Sequence, residues 1–310
     1  MLPKLFLGNF SQRLLGWKLT NWIAQFAIAR WMRRPAAWVA SKVAEKAVDR
    51  TLTRPSPGRL SRSPGTQERV IWQVWLQGWE SAPDIVKAIQ EYNSAALPGF
   101  TFRRLSAEDA LGLVDISSKV LDHFNAGRIS QAGFADLLRL RLVSTYGGIW
   151  ADSTILFSAG FSEFHQVNKN FVLQWDYDIN RMKSWNFTIR NGLFSAERND
   201  SFIQLWGDAL EAMWEKSGQI EYFDAFYVAT VLQKRGENPN SDLQQAQSHD
   251  LNKVLPSVFS LFLQAETVDE AKALLGSYPF HKFSYKTDPL ENQRAADLIR
   301  ACAKCHNAEV

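Results

Sequence analysis

The stretch from Asp136 to Asp152 constrains this chain more than any other. Asp136-Leu-Leu-Arg139 is followed, seven residues later, by Gly147-Gly148-Ile-Trp-Ala-Asp152. The spacing predicts a helix, a glycine turn and a short buried strand that ends on a carboxylate. Asp136 and Arg139 lie three apart and share a helix face, while Leu138 and Leu142 fill another. Gly147-Gly148 is a natural left-handed helix stop, and Ile149-Trp150-Ala151 is apolar throughout. Ligands of open α/β sheets bind at the carboxyl ends of strands, so Asp152 is expected where chemistry takes place.

The preceding segments supply the rest of such a sheet. Val70 to Trp75 is β-branched and aromatic and runs into a turn around Gly78, as a first strand does. A helix is expected over Ser81 to Asn93, with Pro83 in its first turn. Phe100 to Leu105 reads as the next strand, and this alternation is that of an α/β sheet with parallel strands. Further on, Asn191-Gly-Leu-Phe-Ser-Ala196 precedes an amphipathic helix, Ser201 to Glu215. His281-Lys-Phe-Ser-Tyr-Lys286 adds a cationic cluster near the end of the domain.

Four blocks in this order resemble retaining glycosyltransferases of the family 32 type, and more closely their bacterial branch, the capsular polysaccharide synthesis proteins. They are Ile71-Trp-Gln-Val-Trp75-Leu-Gln-Gly78, the helix–Gly-Gly–Asp152 block, Asn191 to Ala196, and His281 to Lys286. The resemblance runs from about Ile71 to Lys286. It implies an α/β fold of the GT-A type, a Rossmann-like nucleotide-binding domain with a mixed sheet. It also implies transfer of a hexose, with retention, from a nucleotide-diphosphate sugar to a surface polysaccharide or its lipid-linked precursor.

Roles for residues follow from the same resemblance. Trp75 matches the aromatic that stacks on the nucleotide base, and its alternative is an ordinary core position. Asp136 and Arg139 match the pair that binds donor-sugar hydroxyls; as a mere helix-surface ion pair they would contribute under about 1 kcal/mol. Asn191 or Ser195 is expected to touch sugar. His281, Lys282 and Lys286 are candidates to close over the diphosphate, lysine acting as a point charge on phosphate.

Relatives in the wider family usually carry Asp-x-Asp at the end of the Gly-Gly strand, where the second acid binds Mg²⁺ or Mn²⁺ through the diphosphate, whereas the capsular branch resembles a shortened form without it. Hard divalent cations favour such oxygen ligands. Here the sequence is Asp152-Ser153-Thr154, with a hydroxyl in place of the second acid. Asp152 is thus the candidate metal ligand, Thr154 a weak neutral one, and protein positive charge an alternative to Mg²⁺ or Mn²⁺. Asp176 and Asp178 form a true Asp-x-Asp but lack the helix–Gly-Gly context. The missing acid also admits a different class of function, a catalytically silent relative that binds polysaccharide or scaffolds a membrane-surface assembly.

The net charge of +3 conceals an uneven distribution. Residues 1–62 carry twelve Lys or Arg against two acids, a balance of +10, which leaves −7 on the remainder. Leu15, Leu19, Trp22, Ile23 and Phe26 recur at helical spacing and form an apolar stripe. Tryptophan interleaved with arginine suits the interface of an anionic membrane. The longest uncharged stretch there, Leu19 to Ala29, is eleven residues, too short to span a bilayer. The alternative is a helical hairpin packed on the catalytic body. Nucleic acid is not expected as a partner, since no recognition fold is visible.

Two cysteines exclude a disulfide framework and fit a reducing cytoplasm. Cys302-Ala-Lys-Cys305-His306 copies the c-type haem attachment pattern, but its position suggests an exposed tail with a coincidental thiol pair. These readings divide the chain into a basic helical arm (1–50), a linker (51–66), a glycosyltransferase domain (67–296) and a C-terminal tail (297–310), with the arm holding the protein peripherally on the inner face of the plasma membrane.

Overall fold

The computed structural model describes residues 41–53, 69–167, 170–174, 189–217, 220–237 and 262–308. The chain runs through α1 (residues 41–53), β1 (Val70–Val74), α2 (Asp84–Ala96), β2 (Thr101–Leu105), α3 (Ala107–Leu111), α4 (Ser118–Asn125) and α5 (Gln131–Tyr146). It continues through β3 (Gly148–Ala151), β4 (Ile155–Phe157), α6 (Phe161–Val167), β5 (Phe171–Gln174), β6 (Ile189–Ala196) and α7 (Ser201–Trp214). α8 (Asp224–Lys234), α9 (Val268–Gly276), β7 (Phe280–Lys282) and α10 (Pro289–Ala308) complete it.

β1 is buried beyond its first residue, the pattern of a strand covered on both faces. It pairs in parallel with β2 on one side and β3 on the other. β6 then runs antiparallel to β3, and β5 antiparallel to β6, giving the order β2-β1-β3-β6-β5. This is the mixed α/β sheet expected from the sequence. β4 and β7 form a second, two-stranded antiparallel sheet.

α5 is the central helix. Ser130 caps its start by accepting from the Gly133 amide at 3.1 Å. Phe134, Leu137, Leu138, Leu140, Leu142 and Val143 are all buried, so the helix has apolar residues around its circumference and little amphipathicity. It ends at Gly147 (φ 73°), and Gly148 follows at φ 98°. A Cβ at Gly147 would lie 2.8 Å from the Arg198 amide, and one at Gly148 2.8 Å from the Val70 carbonyl. Only glycine lets the chain turn this tightly from α5 into β3, and the Trp72 indole holds the turn by donating to the Gly147 carbonyl at 2.9 Å.

α2 begins at Asp84 rather than Ser81. Pro83 takes the capping position with an extended ψ of 151°, and a single 3₁₀ turn, Trp79–Ser81, precedes it. Buried Asn93 of α2 both donates to the Ile155 carbonyl and accepts from the Phe157 amide, each at 2.8 Å, and so fixes β4. Gln90, one turn earlier, donates to the Ser153 carbonyl at 2.9 Å. Together they pin the segment that follows Asp152.

Two ends of the chain depart from expectation. α1 extends to residue 53, into the expected linker, and Ala44, Ala47 and Val48 are buried in the main core. Small residues at this helical spacing let α1 lie close, and Asp49 pairs with Arg235, just past the end of α8, at 2.7 Å. The last part of the arm is therefore a layer of the body. The expected tail is likewise helix: α10 crosses residue 297, and Ala295, Ala296, Ile299 and Cys302 are buried in a second core with Ile85, Ile89 and Tyr92 of α2. Arg300 donates to both Asp84 and Glu91 on that helix. Cys302 is thus not exposed, and burial pushes its thiol up to about 11. The apolar stripe at Leu15 to Phe26 and the acid pair Asp176 and Asp178 lie outside the described residues. Among the described residues no helix is long and apolar enough to cross a membrane.

Candidate functional site

Because β1 and β3 are parallel neighbours, the residues that follow them emerge side by side at one edge of the sheet. Trp75 follows β1 and Asp152 follows β3, and the Ser153 hydroxyl ties the two exits by donating to the Val74 carbonyl at 3.1 Å. β6 runs the other way, so its first residues reach the same edge. The Asp152 amide donates to the Gly192 carbonyl at 2.8 Å, placing Asn191 beside it.

Arg139 organises the charges there. Its guanidinium donates to the Asn191 carbonyl at 2.6 Å and pairs with Asp136 at 2.8 Å and Asp152 at 3.4 Å. The group lies over the Trp150 ring, 4.9 Å from its centroid. The Asn191 side-chain amide donates to the Asp136 carboxylate at 2.9 Å. Asp136, Arg139 and Asn191 are all buried, which separates this cluster from a surface ion pair. The side chains of Asp136, Arg139, Asn191 and Asp152 and the Asn191 carbonyl, from α5, β6 and the residue after β3, hold one polar network.

Asp152 differs from Asp136 in exposure. Its side chain is 26% exposed against 9%, so it is the carboxylate that a ligand reaches. One oxygen accepts from the Trp150 indole at 3.1 Å, and the other from the Lys282 ammonium at 2.6 Å. Burial alone would raise its pKa, but Lys282 and Arg139 outweigh that and hold it below the ordinary carboxylate value. Asp136 moves the opposite way: burial, reinforced by the Asp152 charge and opposed by Arg139 and Asn191, pushes it up to about 6.

Lys282 arrives through β7, whose pairing sets it opposite Ile155, three residues past Asp152. The alternation of a strand sends its neighbour to the other face. His281 is accordingly buried, its ring Nε2 lying 2.8 Å from the Leu275 carbonyl, and burial lowers its pKa. The expected role of His281 over a diphosphate is therefore not supported: it is a core residue, and its neighbour carries the charge. Lys286 lies over the Tyr285 ring at 5.6 Å, and Tyr285 meets Trp75 edge-on at 5.4 Å. Trp75 is half-buried, leaving part of its surface free beside Tyr285 and Lys286.

Thr154 is buried, and its carbonyl accepts from the Phe283 amide at 2.8 Å. The position of the expected second acid thus braces β7. A divalent cation fits this set of groups poorly. Both oxygens of Asp152 already receive donors, and among the described residues no three His, Cys, Asp or Glu side chains converge. Tyr222, which nothing in its sequence surroundings singles out, is more than half exposed beside the cluster. Its phenol pKa is raised, by burial first and then by the Asp136 charge, and Arg139, Asp152 and Tyr285 are also within electrostatic range.

The profile of a family described as capsular polysaccharide synthesis protein matches residues 37–300. The O-glycosyltransferase braB of Annulohypoxylon truncatum is 26% identical over 185 residues, a span of 53% of this chain and 42% of that protein. The chain thus spans under half the length of that curated relative. The solved PaToxG glycosyltransferase aligns with 88% of this chain and 98% of its own, at 14% identity and a TM-score of 0.37.

Proposed function

The chain belongs to the capsular polysaccharide synthesis protein family, and on that premise we propose that it is a nucleotide-sugar-dependent hexosyltransferase of the GT-A type. The observation that carries this reading is the buried Asp136–Arg139–Asn191 network abutting the partly exposed Asp152 at the carboxyl edge of parallel strands. A rigid array of acceptors and donors suits the hydroxyls of a sugar, and this edge is where α/β sheets bind nucleotides. Trp75 and Tyr285 offer aromatic surface for the base, while Lys282 and Lys286 offer charge for the diphosphate.

The acceptor in this reading is a growing surface polysaccharide or its lipid-linked precursor, and the anomeric configuration is retained. The anomeric carbon loses its bond to the diphosphate oxygen and gains one to the acceptor hydroxyl on the same face. The acceptor proton passes to the departing diphosphate. No side chain is required as a covalent nucleophile, so the protein acts by positioning and by stabilising charge on the leaving group. The +10 balance of residues 1–62 supports a peripheral site on an anionic membrane, where a lipid-linked acceptor resides.

The absent second acid keeps a silent, glycan-binding relative as the competing reading. Calorimetric titration with nucleoside diphosphates, followed by turnover of a lipid-linked acceptor, separates the two. A transferase binds one nucleotide and consumes its sugar conjugate; a scaffold does neither.

A further inference from the structure

Asp152 and Lys282 stand 130 residues apart in the chain, yet their side chains meet at 2.6 Å. Nothing about this contact is casual. β4 begins three residues after Asp152 and pairs with β7, so the backbone of Lys282 is laddered to the segment that follows Asp152. The Phe283 amide adds a further bond to the Thr154 carbonyl at 2.8 Å, and the Ile155 amide closes the turn on the Asp152 carbonyl at 2.8 Å. Gly192 presses from the other side, where even a Cβ would stand 3.0 Å from the same Asp152 oxygen that Lys282 binds. The ammonium is thereby held in one place, and 34% of its side chain remains exposed for a ligand.

The charge balance suggests what this place is for. Two carboxylates and a divalent cation carry no net charge, and neither do one carboxylate and one ammonium. Where the resemblance implies a second acid this chain has Thr154, and a fixed cation, Lys282, is in contact with the one acid present. We propose that Lys282 stands in for the divalent cation: its ammonium receives the diphosphate of the donor and stabilises it as it leaves, so that donor binding is independent of metal. The inference rests on the transferase reading above. Arg139 places a second cation on the other oxygen of Asp152, and Lys286 a third near Tyr285. An ammonium on a strand brings no ligand geometry to satisfy, and charge alone suffices for phosphate.

Calorimetry on the full chain, with a set of nucleoside diphosphates as probes, tests this in EDTA and again in Mn²⁺. The wild type is expected to bind one of them with the same affinity, within about twofold, in both. Lys282→Gln should weaken that binding at least tenfold in EDTA, and Lys282→Arg should retain most of it. Lys282→Asp, which restores two adjacent carboxylates, should bind the nucleotide only when Mn²⁺ is present and should bind Mn²⁺ itself by electron paramagnetic resonance. Circular dichroism confirms that each variant is folded. Wild-type binding that disappears in EDTA and returns with Mn²⁺ overturns the inference while leaving the transferase reading intact. Binding unchanged in Lys282→Gln overturns it as well. Absence of nucleotide binding under every condition overturns both.

Discussion

Asn191 at the start of β6 donates its side-chain amide to Asp136 on α5 at 2.9 Å, closing from the sheet a pair that helical spacing alone would leave open. That bond, together with burial, makes Asp136 part of a fixed network. Burial pushes Asp136 up to about 6, so it becomes protonated just below neutrality. Its charge holds Arg139, which in turn meets Asp152, so the network works at full strength only with Asp136 ionised. Donor affinity of the wild type is therefore expected to fall about tenfold between pH 7 and pH 5, on the logarithmic scale of a single titration. Asp136→Asn should bind weakly at both values with no such slope. Calorimetry across this range checks it, and a wild-type profile flat down to pH 5 contradicts it.

The stability consequence runs against the binding one. A carboxyl group whose folded pKa is raised stabilises the fold below its unfolded pKa and loses that contribution as pH rises through the folded value. Asp224 gives the cleaner test, since it lies outside the site. It is buried, pushed up to about 6 by that burial, and one of its oxygens has no partner, while the other accepts from the Trp214 indole at 2.8 Å. Asp224→Asn is expected to raise the melting temperature at pH 8 and to give no gain at pH 4. Thermal melts at the two pH values decide it; equal shifts would show that ionisation of Asp224 costs the fold nothing.

Arg139→Lys is predicted to be far from conservative. Guanidinium reaches Asp136, Asp152 and the Asn191 carbonyl at once while lying on Trp150, and an ammonium cannot span that set. Turnover should fall at least tenfold, about 1.4 kcal/mol in barrier. Steady-state kinetics on the folded variant measure it, and wild-type rates would return the pair to a structural role.

A finer displacement tests the geometry around Asp152. In Gly192→Ala the added methyl stands 3.0 Å from the carboxylate oxygen, which must shift by a few tenths of an ångström. Urea denaturation should show a fold close to wild type, whereas donor turnover should drop severalfold. Full activity would mean that the position of Asp152 is not critical.

How much of this was legible beforehand depended on how local each signal was. α5, the two glycines and β3 are contiguous, and periodicity and turn chemistry place Asp136, Arg139 and Asp152 without tertiary information. The opposite orientations of His281 and Lys282 depend on which face of β7 meets β4, a pairing formed across more than a hundred residues. Tyr222 precedes α8 in a segment with no distinguishing pattern, and only the fold brings it near Asp136. α1 and the end of α10 escaped because their buried faces are built from small residues, Ala44 and Ala47 in one, Ala295 and Ala296 in the other. Such faces give a weak hydrophobic pattern yet allow close helix approach. One consequence concerns truncation: removing residues 1–53 takes Ala44, Ala47 and Val48 from the core and should lower stability by roughly 3 kcal/mol, from the apolar surface lost. Urea titration of the truncated chain reads that directly.

The most direct measurement of the central claim is release of nucleoside diphosphate from a panel of nucleotide-diphosphate sugars, comparing the full chain with Asp152→Asn. Asp152 is the partly exposed carboxylate of the network, bound by both Lys282 and Arg139. The account predicts that the wild type consumes one donor and that the folded variant does so at least tenfold more slowly, about 1.4 kcal/mol less transition-state stabilisation. Equal rates in the two proteins, or no release from any donor, would contradict it.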